Sequence, residues 1–235
     1  QKKKGELFIG LPKETSYQEK RVCLTPDAVA AITANGHRVL IESNAGVDAN
    51  FSDKDYSEAG AEVTKDTSKV FACPIILKVE PPSLKELEMM NPQTTLISAL
   101  QLKTQEKSYF QKLAEKRITA LAFEFIKDED GTYPAVRALS EIAGTASVLI
   151  ASEILASPKG SGLMFGNISG VPPLEVVIIG AGTVGEFAGR SALGLGANIK
   201  IFDNSLTKLR CIQTNLGRPL YTSTLQPKNL LKSLL

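Results

Sequence analysis

Three glycines and an acid mark one place where this chain can do chemistry. Gly180, Gly182 and Gly185 form G-x-G-x-x-G directly after the apolar, β-branched run Val176 to Ile179. At the end of a buried strand, the first glycine permits a tight turn. The second lets a pyrophosphate approach the backbone, and the third lets a helix pack closely on the strand. A helix expected from Val184 to Leu195 aims its first amides at the phosphates, so Thr183 and Val184 join the glycines as cofactor contacts. A second strand, Ile199 to Phe202, ends in Asp203. A carboxylate there accepts hydrogen bonds from both adenosine ribose hydroxyls and repels a 2′-phosphate, which favours NAD over NADP. Close helix–sheet packing alone would also require the glycines, but it leaves Asp203 without a reason.

A second group of polar residues falls at the ends of apolar runs nearer the start. Arg21 follows the run Leu7 to Leu11 by the polar loop PKETSYQEKR. Lys78 ends PIILKV, Gln101 follows TLISAL, and Glu124 ends the run Ile118 to Phe123; these three are the catalytic candidates. In open parallel sheets, ligands bind outside the carboxyl ends of the strands. Two cations and an amide on one such rim suit a small carboxylate. Arg21 can hold it bidentately, and Lys78 can add charge or act as acid or base. The plainer alternatives are an Arg21 surface ion pair with Glu14 or Glu19, a Lys78 with a solvated tip, and a Glu124 bonded to nearby backbone amides. His37, the only histidine, lies in a helix-to-strand turn at the opposite end of the sheet and reads as structural.

The elements that must position these residues alternate along the chain. Strands are expected at Leu7 to Leu11, Arg38 to Glu42, Pro74 to Val79, Thr95 to Leu100 and Ile118 to Phe123. Thr25-Pro26 starts a helix that Gly36 ends, Ser52 caps one over Asp53 to Ala59, Ser83 caps one through Met90, and another runs from Thr104 to Glu115. Continuous apolar strands alternating with helices indicate an α/β fold: two doubly wound parallel-sheet domains, the C-terminal one an incomplete Rossmann fold. The boundary is placed so that residues 1–134 form a substrate domain. Residues 135–235 hold a linker helix, Ala135 to Leu155, and the first half of a dinucleotide-binding domain. That helix, about 30 Å long, can connect two domains. With no fourth strand beside it, the outer edge of Val176 to Ile179 is expected to be unpaired, so a longer polypeptide or a partner is expected to cover it.

Of 235 residues, 43% are hydrophobic and 22% charged, with a net charge of +2, so a packed core is expected and a nucleic-acid surface is not. Lys2-Lys3-Lys4 reads as a solvated tail. Cys23, Cys73 and Cys211 lack metal or redox spacing and read as reduced thiols of a cytoplasmic protein, with no metal expected. No apolar run approaches the length of a membrane span.

The whole chain resembles the family of alanine dehydrogenases and nicotinamide nucleotide transhydrogenase α subunits. The resemblance is carried by GLPKET…EKRVCLTPDAV, NGHRVLIESNAGVDANFSD, IILKV, ALAFE, SEIAG and VVIIGAGTVGEFAGRSALGLGANIKIFDNSLTKLR. The alanine dehydrogenase side matches better. The resemblance implies NAD-dependent oxidative deamination of alanine to pyruvate and ammonia. It implies that Arg21 and Lys78 bind the substrate carboxylate and carbonyl, that Ser140 approaches the cofactor, that Asp203 binds the ribose and that Lys208 lies by the adenosine. A homo-oligomer, hexamer or dimer, is implied as well. Alanine dehydrogenases usually carry a histidine where this chain has Gln101, and glutamine cannot exchange a proton near neutral pH. The rival readings are the NAD(H) domain of a proton-translocating transhydrogenase and a non-catalytic NAD-binding homologue.

Overall fold

In the computed structural model, which describes residues 5–234, the chain divides into two compact units, one up to Ile126 and one from Lys127. The Lys2-Lys3-Lys4 run lies outside the described residues. The first unit alternates β1 (Phe8–Leu11), α1 (Pro26–Ala34), β2 (Arg38–Glu42), α2 (Asp53–Glu58), β3 (Glu62–Thr64) and α3 (Thr67–Phe71). It continues with β4 (Ile75–Leu77), α4 (Leu84–Met89), β5 (Thr95–Ser98), α5 (Lys107–Glu115) and β6 (Thr119–Ala122). The strands form one parallel sheet in the order β3-β2-β1-β4-β5-β6. Its register sets Ile9 beside Val39 and Ile75, and Ile97 beside Leu77 and Leu121.

Side chains alternate across this sheet, so β1, β2 and β4 each feed two cores. Leu40 and Ile76 join Val70, Phe71, Leu87, Tyr109 and Leu113 from α3, α4 and α5. Val39 and Ile41 join Val29 and Tyr56 from α1 and α2. Helices thus cover both faces, which is why the strands read as near-continuous apolar runs. The caps are those expected: Thr25 accepts from the Ala28 amide, and Ser52 and Ser83 each complete a reciprocal capping box.

The second unit contains α6 (Pro134–Ala156), β7 (Glu175–Ile179), α7 (Thr183–Gly194), β8 (Asn198–Phe202), α8 (Leu206–Leu216), β9 (Tyr221–Ser223) and α9 (Pro227–Leu234). Its parallel sheet runs β7-β8-β9, with Ile178 beside Ile201 and Ile201 beside Thr222. Ile178, Ile199, Ile201, Leu209 and Ile212 form its core with Ala188 and Ala192 of α7 and Val148 of α6. β7 is an edge strand, without a second neighbour among the described residues.

Several expectations change. The strand expected over PIILKV contracts to Ile75–Leu77 and TLISAL to Thr95–Ser98, because their last residues turn into the rim described below. The helix expected from Thr104 starts at Lys107; Gln101 adopts φ +47° and its carbonyl accepts from the Thr104 amide and hydroxyl, closing a turn first. β3, α3, α8, β9 and α9 were not anticipated. β3 and β9 are three-residue edge strands of mostly polar residues, which give little apolar pattern to read. The membrane reading is also corrected. α6, with a windowed mean hydropathy of 1.4, is long and apolar enough by length and composition to cross a membrane. Glu141 and Glu153 interrupt its apolar residues, so it does not show as one run in the sequence. Within the unit, Gly144 lets α6 approach α7: a Cβ there would collide with the Val184 carbonyl.

Candidate functional site

In the first unit, the carboxyl ends of β1, β4, β5 and β6 bring together Lys78, Gln101 and Glu124, with Arg21 on the loop after β1. Lys78 is buried, 1% exposed, which rules out a solvated tip. Its ammonium donates to Glu14 Oε2 at 2.6 Å and stands 3.9 Å from Glu86 Oε1. Glu14 also accepts from the amides of Val79 at 2.6 Å and Glu80 at 3.4 Å. One carboxylate therefore fixes both the lysine and the chain that leaves β4. A buried charge persists only when paired and hydrogen-bonded, as here.

Arg21 is half exposed and is engaged by Glu19. Its Nε and Nη2 donate to the two Glu19 oxygens at 2.8 and 2.5 Å, and its amide donates to Glu19 Oε1 at 2.9 Å. This hydrogen-bonded pair holds the Glu19 carboxyl below the usual carboxylate range and raises the guanidinium pKa further, against the opposing effect of burial. Glu80 Oε1 lies 3.5 Å from Nη2, and Glu80 Oε2 accepts from Gln101 Nε2 at 2.7 Å. The rim is thus a lattice of cations each met by glutamates, not the pair of free cations that the sequence suggests.

Glu124 spends both oxygens on the turn after β5, accepting from the Leu100 amide at 3.2 Å and the Gln101 amide at 3.0 Å. Gln101 keeps its left-handed backbone through this grip, and its side chain points to Glu80. Burial pushes the Cys23 thiol, near the same cluster, up to about 12, so it stays protonated at neutral pH. His37 Nδ1 accepts from the Leu7 amide at the other end of the sheet. Sequence reasoning missed Glu14 as the lysine's partner and missed Glu80 and Glu86. The signal for Glu80 was its place two residues after Lys78, where the chain leaves β4.

In the second unit, Gly180 turns the chain at φ +112° as β7 ends, and Gly182 is the N-cap of α7. A Cβ on Gly185 would strike the Gly180 carbonyl, so that glycine is required by packing. A Cβ on Gly182 would meet nothing within 4 Å. Packing therefore leaves Gly182 unexplained, whereas a phosphate lying on the backbone needs that space. The first intrahelical bond of α7 runs from the Glu186 amide to the Gly182 carbonyl. The amides of Thr183, Val184 and Gly185 precede it and head the helix dipole.

Asp203 follows β8 and is held by two amides, Ala181 at 2.8 Å and Ser205 at 2.7 Å. These bonds keep its carboxyl below the usual range, with Lys208 on the first turn of α8 adding attraction. Each Asp203 oxygen retains a lone pair for a ribose hydroxyl. A groove of about 580 Å³ runs along β7 beside the glycine turn, lined in part by Ser140, Phe165, Gly182 and Thr183. The residues present fit an NAD adenosine diphosphate: amides for phosphate, an open glycine, and an anchored acid for ribose.

The family description "Alanine dehydrogenase/PNT, N-terminal domain" matches residues 10–143, and its C-terminal counterpart matches residues 146–235. This chain belongs to the alanine dehydrogenase/PNT family. Alanine dehydrogenase of Bacillus subtilis (strain 168) is 36% identical to this family member over 225 residues, covering 95% of the chain and 59% of the relative. Alanine dehydrogenase 2 of Staphylococcus aureus (strain USA300) is 35% identical over 95% of the chain and 60% of the relative. The chain thus spans about 60% of the length of these relatives. Among solved structures, an L-alanine dehydrogenase superposes with a TM-score of 0.88 at 32% identity, covering 97% of the chain and 63% of that structure. A transhydrogenase from Sinorhizobium meliloti shares the fold, with a TM-score of 0.77 at 22% identity over 92% of the chain and 64% of that structure.

Proposed function

We propose that the protein is an NAD-dependent oxidoreductase of the alanine dehydrogenase type, converting L-alanine, NAD and water to pyruvate, ammonium, NADH and a proton. The observation that carries the cofactor reading is Asp203, pinned by the Ala181 and Ser205 amides beside the open Gly182. Bound NAD supplies the hydride acceptor. The α7 amides bind its pyrophosphate and Asp203 its adenosine ribose, with Lys208 and Ser140 as further contacts.

Arg21 anchors the substrate carboxylate. Lys78, held in place by Glu14, hydrogen-bonds the oxygen or nitrogen on the α-carbon and polarises that bond. Gln101 donates a hydrogen bond or holds a water, and Glu124 acts by fixing the Gln101 turn. The substrate is a small 2-oxo acid or amino acid. A homo-oligomer, hexamer or dimer, and a cytoplasmic location complete the proposal.

Titration of the intact protein with NADH by calorimetry, and an assay with NADH, pyruvate and ammonium, test it together. Absence of both heat and turnover would refute it. Heat without turnover would favour the second reading, an NAD-binding homologue without activity, for which Gln101 is the specific motive. Transhydrogenase chemistry is the remaining alternative, less favoured because the sequence identity is greater on the dehydrogenase side.

A further inference from the structure

Glu80 is the group on the rim to which no role has been given. The guanidinium of Arg21 offers two edges for bidentate carboxylates. Glu19 takes the Nε–Nη2 edge, with a third bond from the Arg21 amide, and its side chain is only 8% exposed. It is built in. The Nη1–Nη2 edge remains for a second carboxylate, and Glu80 Oε1 stands at its Nη2 end, at the longer distance of 3.5 Å. The Glu80 side chain is 23% exposed, tethered on its other oxygen by Gln101, while Glu14 and the following Pro81-Pro82 hold its backbone.

We propose that Glu80 is a displaceable internal stand-in for the substrate carboxylate, competing with it for Arg21. This rests on Arg21 being the carboxylate anchor. An incoming carboxylate takes the Nη1–Nη2 edge, and Glu80 keeps its bond from Gln101 while its Oε1 turns to water. The exchange replaces one anion on Arg21 by another, so the paired guanidinium is never stripped bare. It also makes Glu80 a specificity-determining residue. Its charge opposes a bare anion such as pyruvate more than a zwitterion such as L-alanine, whose ammonium is attracted by the same carboxylate. An exposed ion pair at this distance is weak, which makes it replaceable.

The test is Glu80→Gln in the intact protein, isosteric and uncharged, with Arg21→Ala as its control. Steady-state kinetics and turnover-free pyruvate binding by saturation-transfer NMR are measured on each. The proposal expects Glu80→Gln to lower the pyruvate KM and dissociation constant about three- to tenfold, the range of a weak ion pair. It expects the melting temperature to stay at the wild-type value, and L-alanine to gain less than pyruvate. Unchanged or weaker pyruvate binding in Glu80→Gln, with binding lost in Arg21→Ala, overturns the role of Glu80 and leaves the anchor standing. Undiminished pyruvate binding in Arg21→Ala overturns the anchor and this proposal with it, as does a protein that binds no pyruvate in either form.

Discussion

The ammonium of Lys78 donates to the carboxylate of Glu14 at 2.6 Å, and the two side chains are 1% and 6% exposed. They come from opposite sides of the first unit's sequence and meet where β1 and β4 lie side by side. Removing one partner leaves an uncompensated buried charge. Glu14→Gln is therefore expected to destabilise the protein by about 3–5 kcal/mol, less whatever Glu86 recovers. Denaturant unfolding followed by circular dichroism measures it; a loss below about 1 kcal/mol, the level of an ordinary surface pair, would refute the reading.

Gln101 sits at φ +47°, a conformation that histidine tolerates better than most side chains. Gln101→His should keep the turn that Glu124 grips and supply an acid–base group on the rim. The expectation is a rise in kcat of about a hundredfold, with a new limb near pH 6.5 in the rate profile. A flat profile and unchanged kcat would mean that this position moves no proton.

The glycines separate fold from ligand. Gly185→Ala forces a methyl group onto the Gly180 carbonyl, an overpacking expected to cost about 1–3 kcal/mol and lower the melting temperature. Gly182→Ala meets nothing in the protein, so its melting temperature should hold while NADH binding weakens. Calorimetry and thermal unfolding on both variants distinguish the two roles. Equal NADH affinity in Gly182→Ala and wild type would remove the phosphate from that turn.

The Asp203 carboxyl lies below its ordinary 3.8 in the folded chain, first because of the Ala181 amide and then because of the Ser205 amide. A depressed folded value stabilises the native state above the unfolded value. That contribution is lost as pH falls through the folded one. Asp203→Asn should therefore be less stable than wild type at neutral pH, and the gap should close on acidification below about pH 4. The same variant should accept NADP more readily, because the repulsion of a 2′-phosphate is gone. A gap that stays constant from neutral to acid pH would sink the linkage.

Much of this was legible in the residues. Alternating apolar runs and capped helices disclosed both parallel sheets, because strands buried on two faces leave little room for polar residues. The glycine turn and Asp203 were legible because each position answers a local backbone or charge requirement. The short strands Glu62–Thr64 and Tyr221–Ser223 were not: they lie on sheet edges, where hydrogen bonds to a neighbour, not apolar side chains, define the element. The glutamate partners were hidden for a different reason. Glu14 reaches Lys78 and Glu80 reaches Gln101 only after crossovers bring strand ends together. A sequence shows which residues carry charge, and not which of them neutralise each other.

Glu124 holds the amides of Leu100 and Gln101, residues that precede it by a whole helix and a strand. During synthesis, the segment bearing Gln101 leaves the ribosome before the carboxylate that shapes it. The rim's last corner must therefore wait for β6 to arrive, and a nascent chain halted before that strand would carry Gln101 without the carboxylate that holds its turn.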